Sequence, residues 1–99
     1  MRKPPIKVSS TARKGIALAL MYGGIPERYI RRARGLDLRE PLDAEALARM
    51  RAFFQNYNED LEPQEGKPST GYIVYCLWGG DAAKEWLAPK KRKRKKQAD

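Results

Sequence analysis

The chain has 99 residues, with 21 lysines and arginines against 12 aspartates and glutamates, a net charge of +9, one cysteine and no histidine. That length suits one domain with one modest core and excludes two, and the lone Cys76 excludes an intrachain disulfide and reads as a small buried hydrophobe in a reducing compartment. No apolar stretch approaches the ~20 residues that span a bilayer, and Met1-Arg2-Lys3-Pro4-Pro5 has no apolar run behind it to make a signal peptide, so the expected location is the cytoplasm where the chain is made, or a particle assembled there.

Residues 1–8 are basic and contain Pro4-Pro5, which cannot sit in a helix interior, so they read as an extended arm. Ser9, Ser10 or Thr11 can cap a helix running to about Tyr22. Its apolar residues Ala12, Ile16, Ala19 and Leu20 recur at the spacing of one buried stripe. Gly23-Gly24 ends it, since glycine readily takes the left-handed conformation of a helix C-terminus. Pro26 suits the first turn of a second helix, which runs to about Ala33 on an apolar face of Tyr29, Ile30 and Ala33. Its other face carries Arg28, Arg31 and Arg32, with Arg34 just beyond, and Glu27 is placed to pair with Arg31. Gly35 ends this helix. Residues 36–41 form a connector with Leu36 and Leu38 tucked inward.

Asp43 caps a third helix, with Leu42 and Leu47 spaced as a hydrophobic staple. Leu47, Met50, Phe54 and Tyr57 mark its buried face. Residues 58–69 hold four acids, two prolines and Gly66, the composition of a solvated loop. Residues 71–80 are rich in β-branched and aromatic side chains that favour a strand. The chain offers no second strand to pair with it, and a lone strand has no home. The segment therefore reads as a buried helix, capped by Ser69 or Thr70 and stopped by Gly79-Gly80. Asp81 caps a last short helix over residues 82–87, with Trp86 and Leu87 packing back, and Pro89 ends it. The expected fold class is all-α: a single small domain of four or five short helices over residues 9–89, with disordered basic termini at 1–8 and 90–99.

Charge is unevenly placed. Within residues 8–89 eleven basic side chains balance eleven acidic ones, so the excess lies at the two ends. Lys90, Lys91, Arg92, Lys93, Arg94, Lys95 and Lys96 form one unbroken cationic run before Gln97-Ala98-Asp99. Such a run repels itself, buries nothing and stays disordered until it meets a counter-charge. Seven contiguous cations, undiluted by Gly or Ser, favour binding to a phosphate backbone over a merely solubilising role.

Several segments together resemble a known domain. They are Ala12-Arg13-Lys14-Gly15, Gly23-Gly24, residues 30–36 (Ile-Arg-Arg-Ala-Arg-Gly-Leu), residues 49–54 (Arg-Met-Arg-Ala-Phe-Phe), residues 68–73 (Pro-Ser-Thr-Gly-Tyr-Ile) and Leu77-Trp78-Gly79-Gly80-Asp81-Ala82-Ala83. In this order they look like a small helical domain of tailed bacteriophages and prophages, over about residues 10–88. The Leu-Trp-Gly-Gly-Asp segment is the most specific part. Members of that family often carry a histidine after the Phe-Phe pair, where this chain has Gln55-Asn56-Tyr57-Asn58, and the basic tail lies outside the shared region. The resemblance implies a phage origin, a helical fold and residence in the host cytoplasm or the virion; it brings no reaction with it.

The remaining features divide between structure and binding. Arg28, Arg31, Arg32 and Arg34 form a candidate surface that could orient the domain on a duplex, although Glu27, Asp37 and Glu40 stand near to neutralise it. Tyr72, Tyr75, Trp78 and Trp86 are of the type that stacks on bases, but their apolar neighbours make them core. Gly79-Gly80-Asp81 has the look of an anion cradle, yet Asp81 would repel an anion and a structural cap is the better account. Without histidine, a phosphate loop, a metal-ligand spacing or a serine triad, no catalytic, cofactor or metal site can be built, and the chain is expected not to be an enzyme. Two functions follow. The first is a phage nucleic-acid-binding protein, with DNA the expected partner over RNA, acting through the tail and the α-helical arginines. The second is a protein-interaction module, a head-assembly component or an inhibitor of a host protein, that docks a phage or host partner around Trp78 and Trp86.

Overall fold

The computed structural model describes residues 1–88, which contain five α-helices and no strand. The expected all-α class holds; the helix boundaries differ in instructive places. Pro5, with φ −67° and ψ 162°, is the N-cap of α1 (Ile6–Tyr22). A proline fits there because the first N–H groups of a helix have no partner within it. Ser9, Ser10 and Thr11 therefore lie inside α1, and none of them caps it. Ser9 is buried and its hydroxyl donates to the carbonyl of Asp37 at 2.8 Å, while Thr11 donates to the carbonyl of Lys7 at 2.9 Å. The buried stripe is Val8, Ala12, Ile16 and Ala19. Leu20, expected within it, is 65% exposed.

The N-terminal arm is correspondingly short, and it is held. Arg2 and Leu42 exchange both backbone hydrogen bonds, at 2.9 and 2.7 Å. Pro4 is fully buried, and its carbonyl accepts from Arg39 Nε at 2.7 Å.

Pro26 likewise stands at the N-cap of α2 (Glu27–Asp37), one position before the first turn. This helix runs through Gly35 instead of stopping at Ala33, because Leu36 has a place in the core at 3% exposure. The turn that ends it puts Arg39 at φ 55°, where glycine is the usual residue, and Arg39 N and Glu40 N donate back to Leu36 and Gly35. Leu38, expected to point inward, is 69% exposed. Asp43 caps α3 (Ala44–Asn56) by accepting from Ala46 N at 2.9 Å. Leu47 and Met50 are buried, Phe54 and Tyr57 half-buried.

The loop after Tyr57 is closed by reciprocal hydrogen bonds between Gln64 and Lys67. Ser69, not Thr70, caps α4 (Thr70–Leu77): its hydroxyl accepts from Tyr72 N and donates to the carbonyl of Asp60. Packing decides this segment against its strand propensity, since Ile73, Cys76 and Leu77 all enter the core. Gly79, at φ 102°, is the N-cap of α5 (Gly80–Leu87). Asp81 sits within the first turn of α5 rather than capping it, and its carboxylate accepts from the Tyr75 hydroxyl. One core joins Val8, Ile16, Ile30, Leu36, Leu47, Ile73, Leu77 and Leu87, so every helix contributes.

Candidate nucleic-acid interface

The arginines of α2 spread around the helix: Arg28 neighbours Arg31 and Arg32, and Arg31 neighbours Arg34. Residues two apart on a helix point away from each other, which separates Arg34 from Arg32. Arg28 and Arg32 are one turn apart and share Tyr29, their guanidinium carbons 5.0 and 6.0 Å from its ring centroid. Arg31 pairs with Glu27 at 3.7 Å, and both side chains are well exposed. Arg32 also lies over Trp78, 4.4 Å from the ring centroid. Its partial burial and the nearby Arg49 pull its pKa below the usual guanidinium value. No carboxylate pairs with it among the described residues.

Trp78 is engaged by its own chain. Phe53 stacks on it at 4.5 Å and 11°, and Phe53 also meets Phe54 and Tyr57. Tyr75 completes the cluster through Phe54 and Tyr57. Tyr72 accepts a hydrogen bond from Lys14 Nζ at 2.8 Å, which raises the lysine's pKa. Phe53, Phe54, Tyr57, Tyr75 and Trp78 make the seam between α3 and α4. Trp78 lines a groove of about 220 Å³ between α2 and α3, with Arg32, Arg49 and Met50.

Trp86 belongs to a different place. It lines an open groove of about 860 Å³ formed by α3, α5 and the N-terminal segment, together with Arg2, Arg51, Phe54 and Lys84. The two tryptophans proposed as one docking surface therefore stand in two grooves. Three cations from three separate segments converge on the larger one, and no carboxylate lines it among the described residues. Arg2 lies over the indole of Trp86, 4.7 Å from its centroid. The backbone exchange with Leu42 holds Arg2 there. None of Arg2, Arg51 and Lys84 pairs with a carboxylate among the described residues, in contrast to Arg13 with Asp37 and Arg49 with Glu45. Ala88 also lines this groove. Residues 90–96, the predicted cationic run, lie outside the described residues.

Comparison with protein-family models, curated proteins and solved structures finds no match. The site must be read from its chemistry.

Among the described residues no three His, Cys, Asp or Glu side chains are grouped to hold a metal ion. No described helix is long and apolar enough to cross a membrane. The thiol of Cys76 is buried, and burial raises its pKa. The groove itself escapes sequence reasoning because its cations lie at positions 2, 51 and 84, each unremarkable alone. One signal was present: Arg51 and Phe54 are spaced to share a side of α3.

Proposed function

We propose that this chain is a phage-encoded nucleic-acid-binding protein, present in the host cytoplasm or packaged in the virion, that holds the phosphate backbone through residues 90–96 and the groove beside Ala88. The observation that carries this reading is the convergence of Arg2, Arg51 and Lys84 on a groove that no acid lines among the described residues, and whose lining includes Ala88, two residues before a run of seven cations in the sequence. Cations placed without carboxylate partners repel one another and favour a polyanion. The rest of the body supports no such field, since without Arg51 and Lys84 residues 8–89 carry nine basic side chains against eleven acidic ones. The α2 arginines contribute less, because one is paired with Glu27 and another lies on Trp78.

Binding of this kind comes from counterion release and weakens steeply with salt. A salt titration on duplex DNA should give a log–log slope of about −5 to −7 if the whole tail engages, at ~0.9 per phosphate neutralised. A chain ending at Pro89 should lose most of that slope and affinity while keeping its helical circular dichroism. A truncated chain that binds duplex DNA as well as the full chain, or a full chain that ignores polynucleotides in dilute buffer, would overturn the proposal. In the latter case a protein partner that survives high salt becomes the function to pursue.

A further inference from the structure

We infer that the groove of Arg2, Arg51, Phe54, Lys84 and Trp86 is a site for unpaired nucleotides, giving the chain a preference for single-stranded over duplex nucleic acid. This rests on the nucleic-acid reading above and deepens it. The groove is concave, and its volume of about 860 Å³ falls within the ~300–1,000 Å³ of sites that enclose small ligands. A duplex is a convex rod whose bases are stacked inside it, so it meets such a groove only with its phosphates. An unpaired base can leave its stack and lie against a ring or a guanidinium plane.

The groove supplies both kinds of contact. Trp86 is half-buried, which fixes its ring, and the guanidinium of Arg2 lies over it to form a broad, flat, cationic surface. Phe54 also lines the groove, its ring held edge-on by Phe53 and Tyr75. Arg51 and Lys84 are exposed at the rim, where phosphates on either side of a bound base would lie. The other aromatic group, around Trp78, is closed by its own stacking and offers no such surface. An acidic peptide would use the same cations but has no need of the aromatic floor, so the rings favour a nucleic acid.

The test uses the full chain with an oligothymidylate and with a DNA hairpin duplex, in the same buffer. The oligothymidylate should bind about tenfold more tightly per site, the scale of one stacked base, and should quench tryptophan emission. Trp86→Phe shrinks the stacking surface and leaves Trp78 as the only tryptophan; it should weaken oligothymidylate binding and lose the quenching. The double variant Arg51→Gln/Lys84→Gln changes two exposed side chains and should fold normally. It should make the single-strand salt slope less negative by about 1.4, at ~0.7 per phosphate, and weaken oligothymidylate severalfold more than duplex.

Equal losses on both forms, or no loss on either, would overturn the single-strand site while leaving tail-mediated binding in place. A double variant that keeps its oligothymidylate affinity but no longer binds polyglutamate would assign the groove to a protein partner. A full chain that binds neither nucleic acid defeats the parent reading as well.

Discussion

An alanine at Gly15 would place its Cβ 2.8 Å from the backbone nitrogen of Leu77 and 2.9 Å from the carbonyl carbon of Cys76. Glycine to alanine on an open helix face is stabilising by about 1 kcal/mol. Here the sign reverses, because the obstructing atoms are backbone and cannot turn aside. Gly15→Ala should cost about 1–3 kcal/mol, the range for overpacking, read as a lower urea midpoint with an unchanged slope. A variant as stable as the parent would show that α1 and α4 can separate freely. The segment from Leu77 to Asp81 obeys the same logic residue by residue. Leu77 is core, Trp78 stacks on Phe53, and Gly79 at φ 102° lies against Ala83 and Val8. Gly80 at φ 59° faces Thr11, and Asp81 accepts from Tyr75. Each position in this segment has a structural task, so the segment serves the fold.

The helices were legible where a side chain acts on its own neighbourhood. Asp43 and Ser69 cap as their positions suggest, Leu47 and Met50 are buried as their spacing requires, and Ile73 and Leu77 are buried as a lone apolar segment without a partner strand requires. Errors arose where a distant partner decides. Ser9 looks like a cap but bonds to Asp37, twenty-eight residues on, and Gly35 looks like a stop but Leu36 carries the helix past it. The seam between α3 and α4 makes a prediction that depends on such distant contacts. Tyr57 donates to the carbonyl of Gly71 at 2.7 Å, and burial, with help from Glu59 and Tyr29, pushes its pKa up to about 12. Burial and the Asp81 carboxylate push Tyr75 up as well. A tyrosine in an unfolded chain ionises near 10, so the folded state holds these protons more tightly. The contribution of Tyr57 is full below about pH 10 and is lost as pH rises through about 12, so stability falls across that window. Urea midpoints measured from pH 9 upward, alongside tyrosinate absorbance, check this. Tyr57→Phe should flatten part of the decline, and an unchanged decline would remove Tyr57 as a cause.

On the scale of the whole molecule, charge was legible in amount and in chain position but not in how it gathers. The sequence places cations at both ends, and nothing in it says that one end folds onto the body. Arg2 reaches Trp86 because of a backbone exchange with Leu42, a pairing between residues with no pattern in common. The two ends should therefore behave as opposites when removed. Residues 1–4 supply a fully buried proline, two backbone hydrogen bonds and the acceptor for Arg39. Deleting them should cost about 1–3 kcal/mol, the range for leaving partly buried groups such as Leu42 N and Arg39 Nε without their partners, with the space Pro4 fills left open as well. A chain ending at Pro89 keeps the whole core cluster, which lies between Val8 and Leu87, and should unfold where the full chain does. In binding, the head-deleted chain should keep its affinity for duplex and lose its preference for single strands, because Arg2 is gone from the groove while residues 90–96 remain. Urea unfolding and paired binding assays on the two deletions separate these roles. If both deletions unfold at the parent's midpoint, the first four residues are an ornament on the domain and Arg2 has no fixed place over Trp86.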